Sequence, residues 1–184
     1  MAKELPPRLY RVQHDKSFTM YSPDFGFEAR GHYHMSASHW LNEGTIARHL
    51  DWKDESEQPT PFISMFDDIG KVSARGRPGL LCRKLIPSIG KARERAQLFQ
   101  KLGKTHVFIA EINTLGLKRQ DCTIQFENCL KHLPVWQDSD KTITLFAMRD
   151  AKNCFNINFR IVQDSEWLSI DEILAERIKL WRVR

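Results

Sequence analysis

Thr60-Pro-Phe-Ile-Ser-Met-Phe66 is a short apolar run that opens on a proline. Proline lacks the N–H that an inner ladder position donates, so Pro61 marks the start of a strand and not its middle. Downstream, Lys91-Ala-Arg-Glu-Arg-Ala-Gln-Leu-Phe-Gln-Lys-Leu-Gly103 places Ala92, Ala96, Phe99 and Leu102 at helical spacing. Gly103 stands where a left-handed cap would end that helix. Thr105-His-Val-Phe-Ile-Ala-Glu-Ile112 then returns to β-branched and aromatic residues and reads as a buried strand. Strand, helix, strand is the order around which the rest is arranged. Ser64 is the one polar side chain inside the first strand. A hydroxyl among Phe62, Ile63, Met65 and Phe66 needs a partner if it is buried, so Ser64 is either a satisfied structural serine or part of a site.

The chain has 184 residues, 41% of them hydrophobic and 28% charged, which fits one soluble domain over residues 1–184, and its succession of strand and helix patterns reads as α+β. No apolar run approaches the roughly 18 residues of a membrane span. The N-terminal Met-Ala-Lys-Glu-Leu-Pro-Pro has no apolar signal core, so an intracellular location, cytoplasmic or nuclear, is expected. Cys82, Cys122, Cys129 and Cys154 are widely spaced without a CxxC pair, which favours reduced thiols over disulfides or a zinc finger. His32, His34 and His39 lack a carboxylate or cysteine at ligand spacing, so no metal site is expected. The net charge is +5, and much of the excess lies in Lys71, Arg75, Arg77, Arg83, Lys84, Lys91, Arg93 and Arg95 against Glu94. Nucleic-acid binding through this 71–95 segment trails the solvated-loop reading, because no aromatic residue there offers a base a stacking face.

Taken in order, Arg8-Leu-Tyr-Arg-Val-Gln13 alternates as a strand, with Leu9, Arg11 and Gln13 on one face and Tyr10 and Val12 on the other. An arginine there would ordinarily mark the exposed face of an edge strand. Residues 14–35 read as loop. Ser36–Trp52 reads as a helix interrupted by Gly44, with Asn42 or Thr45 as its cap. Residues 70–90 read as an insertion, because four glycines and two prolines between Asp68 and Lys91 break every period. Its start, Val72-Ser73, is what the splice-donor hexamer GTAAGT encodes in frame. A retained intron over 72–90 and a basic regulatory loop are the two readings of this segment. Residues 137–184 read as a strand–helix extension. Thr142–Met148 and the alternating Phe155–Val162 are strands. A C-terminal helix follows, from the capping box Ser169-Ile-Asp-Glu172 with the stripe Ile170, Ile173, Leu174, Ile178 and Trp181.

Chemistry is sought in Arg11, Ser64 and the Gln125-Phe-Glu127 pair. Alternation puts Gln125 and Glu127 on one face, about 7 Å apart at roughly 3.3 Å per residue. A carboxylate beside an amide suits the positive charge that develops on a sugar when an N-glycosidic bond breaks. A guanidinium suits a diphosphate.

Leu9-Tyr-Arg-Val12, the helical stretch 36–52, Pro61-Phe-Ile-Ser64, the Ala-x-x-x-Ala helix and His106-Val-Phe-Ile-Ala-Glu-Ile112 resemble a fungal domain family of unknown function with an ADP-ribosyltransferase-like fold. The likeness runs from residue 5 to about 136. It implies a mixed or antiparallel sheet core with flanking helices, and NAD as a substrate. It also implies an Arg–Ser–Glu site: Arg11 on the pyrophosphate, Ser64 on the nicotinamide ribose, Glu127 against the oxocarbenium ion and Gln125 orienting the acceptor. Ile63-Ser64-Met65 keeps one hydroxyl where such a motif carries three. Two functions stay open on the sequence: transfer of ADP-ribose to a protein or other acceptor, and an inactive copy of the fold serving as a protein-interaction module.

Overall fold

Strand β4 (Phe62–Phe66) sits inside an eight-stranded sheet of order β11-β5-β1-β4-β9-β8-β7-β6 and is apolar on both faces. The computed structural model describes residues 2–15, 17, 19–29, 41–50, 60–67, 90–126, 129–155 and 165–182. Its other strands here are β1 (Arg8–Gln13), β5 (Phe108–Asn113), β6 (Lys118–Phe126), β7 (Cys129–Gln137), β8 (Thr144–Ala147), β9 (Glu166–Ile170) and β11 (Ile178–Arg182). Every paired neighbour runs antiparallel. A second, three-stranded sheet joins β2 (Tyr21–Ser22), β3 (Gly26–Glu28) and β10 (Glu172–Ile173). The helices are α1 (Glu43–Leu50), α2 (Gly90–Lys101) and α3 (Met148–Phe155). The architecture is α+β.

Alternation along β4 divides the interior. Ile63 and Met65 pack with Leu9, Ala110, Ile112, Trp167 and, from the small sheet, Phe27 and Ile173. Phe62 packs on the other side with Leu41, Ile46, Phe146, Met148 and Leu168, which brings α1 and α3 onto that face. Ala92 and Ala96 of α2 cover Tyr10, Val12 and Ile109 further along the same face. Between these two clusters, Ser64 and Phe66 occupy the C-terminal half of β4 on that face.

Local signals hold where they were specific. Asn42 accepts the Thr45 amide at 2.9 Å and caps α1. Gly103 has φ +73°, and the amides of Gly103 and Lys104 bond the carbonyls of Gln100 and Phe99 at 3.0 Å, closing α2 in a Schellman motif. β1 is an interior strand between β5 and β4, not an edge. The stretch read as loop contains the β2–β3 hairpin. Phe155 closes α3 instead of opening a strand; residues 156–164 and the insertion over 70–90, apart from Gly90 at the start of α2, lie outside the described residues.

The expected C-terminal helix is corrected. Residues 166–182 form β9, β10, a short 3-10 turn at Ala175–Arg177, and β11. β9 fills the place between β4 and β8, with five and four residue pairs, and is buried throughout. β11 pairs five residues with the outer edge of β5. Ser169 donates its hydroxyl to the Glu172 carbonyl at 3.1 Å, and Asp171 at φ 63° turns the chain where a helix would continue. Ladder bonds to distant strands outweigh a local capping pattern that is worth only about 1 kcal/mol.

At Gly26 φ is +94°, and an added Cβ would press into the Ile173 carbonyl oxygen and come within 2.6 Å of the Ala175 amide nitrogen. Both obstacles are backbone. Gly26→Ala should therefore cost about 3 kcal/mol or more, read as a lowered urea midpoint at unchanged slope. Gly103→Ala, with open space around its Cβ site, pays only for its positive φ and should cost less.

Candidate functional site

The site begins where two strands separate. β1 pairs with β5 over six residues and β4 with β9 over five, but β1 and β4 share only Tyr10↔Phe66. In continued register Val12 would oppose Ser64. Instead the Arg11 guanidinium enters, its Nη1 donating to the Ser64 carbonyl at 3.0 Å and its Nε to Gln13 Oε1 at 3.3 Å. Gln13 is itself buried and donates to the Thr19 carbonyl at 2.6 Å. Arg11 also stacks over Phe27, 5.3 Å from the ring centroid. A side chain thus supplies the bond that the interrupted ladder leaves unmade.

On the opposite face of β4 the Ser64 hydroxyl lies 2.8 Å from His49 Nε2, and His49 Nδ1 lies 2.6 Å from Thr60 Oγ1. The imidazole is seated edge-on against Phe62, with centroids 5.5 Å apart. Glu166 joins from β9. Register sets Ser64 against Leu168 and Phe66 against Glu166, so Glu166 is the diagonal neighbour of Ser64 on that face, near enough for the hydroxyl to act on its carboxyl. Arg95 reaches in from α2 over the rings of Phe66 and Phe99, at 5.2 and 5.6 Å. Asp67, next along from β4, anchors this end of β9 by accepting Trp167 Nε1 at 3.0 Å and pairing with Lys3.

Burial sets the protonation states. Glu166 is 6% exposed, and desolvation pushes its carboxyl up to about 7 against the opposing pull of Arg95 and of the Ser64 hydrogen bond. His49 falls to about 4, through desolvation first and the Arg11 charge second, so the imidazole is neutral at physiological pH. Arg11 drops to about 10 through burial and then Arg95, and remains a cation. Two guanidiniums and one carboxyl make the site electropositive. It suits an anion.

Arg11 and Ser64, both expected from sequence, are brought together. Gln125 stands on the edge strand β6, five strands from β1, or roughly 24 Å along the sheet at 4.8 Å per strand. Glu127 lies outside the described residues. Glu166, His49, Thr60 and Arg95 escaped sequence reading. Glu166 was hidden by the helix-like text that follows it, His49 by its place in an apparent helix, and Arg95 by the basic run that contains it. Among the described residues no three His, Cys, Asp or Glu side chains gather to hold a metal. No helix among them is long and apolar enough to cross a membrane. His32, His34 and His39 lie outside them.

The two shifted groups act on stability in opposite senses. Glu166 holds its proton more tightly folded than unfolded, so the native state loses stability as pH rises from about 4.5 to about 7, by roughly 3 kcal/mol over that range. His49 holds its proton less tightly folded, so its contribution is lost as pH falls from 6.5 towards 4. Glu166→Gln should flatten the alkaline limb of a plot of unfolding free energy against pH, and His49→Gln the acid limb. Identical profiles for wild type and both variants would show that neither group is buried as described.

Searches of curated proteins and of solved structures return no match. One protein family does match, over residues 4–178, which spans the site and nearly all of the sheet. The chain belongs to the domain of unknown function DUF7587.

Proposed function

We propose that the chain is an ADP-ribosyltransferase-like domain that takes NAD as substrate and breaks its nicotinamide–ribose bond. The observation that supports this most is that the adjacent strands β1, β4 and β9 carry Arg11, Ser64 and Glu166 in chain order, with the Arg11 guanidinium on the Ser64 carbonyl and close enough for its charge to act on His49. Arg11, with Arg95 beside it, offers the diphosphate two cations whose charge is poorly screened by water. The Ser64 hydroxyl, held by His49 beside Glu166, would bind a ribose hydroxyl. Glu166 takes the part that the sequence suggests for Glu127. Its carboxylate would stabilise the oxocarbenium ion as nicotinamide leaves with the bonding electrons. The acceptor of the ADP-ribosyl group is a protein or another nucleophile. Glu127 remains the alternative carboxylate.

Calorimetric titration with NAD and detection of released nicotinamide test this. Glu166→Gln should lower glycohydrolysis by about 10²-fold or more, the scale for losing one electrostatic stabiliser. Because the ionised form works, the rate should rise with pH through about 7, the region where Glu166 loses its proton among Ser64, His49, Arg95 and Arg11. Arg11→Lys should weaken NAD binding, since a point charge cannot hold both the Ser64 carbonyl and a phosphate. A large loss in Glu127→Gln with none in Glu166→Gln would return the role to Glu127. Absence of both heat and turnover would leave the fold as an inactive interaction module.

A further inference from the structure

The contacts of His49 go beyond what ordering a ribose requires. Its Nε2 is 2.8 Å from the Ser64 hydroxyl oxygen and its Nδ1 is 2.6 Å from Thr60 Oγ1. A hydroxyl, an imidazole base and a third group fixing the far ring nitrogen are the parts of an activated nucleophile. The three come from different elements: Ser64 from inside β4, Thr60 from just before it and His49 from α1. Asn42 caps the start of that helix, and Phe62 seats the ring edge-on. We propose that Ser64 is a base-activated nucleophile, with His49 as its general base and Thr60 as the positioning residue, and that it accepts an acyl group from an activated ester.

In the step, Ser64 Oγ bonds to the carbonyl carbon and its proton passes to His49 Nε2. The tetrahedral adduct then expels the alcohol, which takes that proton, and leaves an ester on Ser64 that water hydrolyses by the same route. The hydrogen-bond directions allow this. The Nδ1–H tautomer donates to Thr60 Oγ1 and leaves the Nε2 lone pair facing the serine. The Ser64 hydroxyl donates to that lone pair, 2.8 Å away. Arg11, bound to the backbone carbonyl of Ser64, is the nearest recorded cation to the serine and offers its charge to the oxyanion of the adduct.

Labelling with a fluorophosphonate tests the proposal without NAD, so its outcome is independent of the NAD-dependent reading. Ser64 Oγ attacks phosphorus, fluoride leaves and His49 takes the proton. Intact mass and peptide mapping should find one adduct, on Ser64, and none on Ser64→Ala. His49→Gln should slow labelling by about 10²-fold or more. Thr60→Val should slow it as well, while Thr60→Ser, which restores the hydroxyl, should recover it. On the wild type the labelling rate should persist at mildly acidic pH and fall only as His49 protonates near 4, among Arg11, Glu166 and Arg95. That profile needs no variant that might fail to fold. An unlabelled wild type, an adduct elsewhere, or a rate that His49→Gln leaves unchanged overturns the proposal.

Discussion

The parting of β1 from β4 after one residue pair is the constraint on which the site depends. Had the ladder run on, Val12 would face Ser64 and no side chain could enter between the strands. Arg11 makes the gap tolerable, because its fork satisfies the Ser64 carbonyl and the Gln13 side chain together and its flat face rests on Phe27. A buried carbonyl left unpaired would cost about 1–3 kcal/mol. The cation is held by Gln13, which the Thr19 carbonyl holds in turn. Opening the sheet and placing a positive charge at the opening are therefore one arrangement.

Around it the layers divide. α2 covers β1 and β5 through Ala92 and Ala96, whose small side chains let the helix approach closely. α1 and α3 cover the other half through Ile46, Met148 and Ala151. Between them lies the strip bearing Ser64, Phe66 and Glu166, which His49 of α1 and Arg95 of α2 both reach. Polar groups collect there. Ser64 is tied to His49, His49 to Thr60, and Arg95 to the rings of Phe66 and Phe99. Desolvation raises the acid and lowers the base, so Glu166 and His49 both approach neutrality at physiological pH. Separation of protonation behaviour by environment is what acid–base chemistry needs and what stability alone would avoid.

The N-terminal segment helps hold this geometry. Lys3 pairs with Asp67, lies 5.2 Å over the Trp167 ring, and uses its backbone amide to bond Asp150 at 2.9 Å. Asp67 and Trp167 directly follow Phe66 and Glu166 in the chain, so the contact clamps the ends of the two strands that carry Ser64 and Glu166.

Short-range chemistry in the sequence determined β1, β4, α2 with its Gly103 cap, and β5, because a proline start, a helical stripe and a β-branched run each act within a few residues. It also determined that Arg11 and Ser64 were out of place among apolar neighbours. Tertiary structure alone decided that Ser169–Trp181 is strand and turn, since the Ile170, Ile173, Leu174, Ile178 and Trp181 spacing fits a helix until β4, β8 and β5 present edges to pair with. It alone brought Glu166 to Ser64 across 102 positions of chain. The local pattern fixes which face of a strand is apolar, but which distant strand it pairs with is decided by the surface the assembled sheet buries.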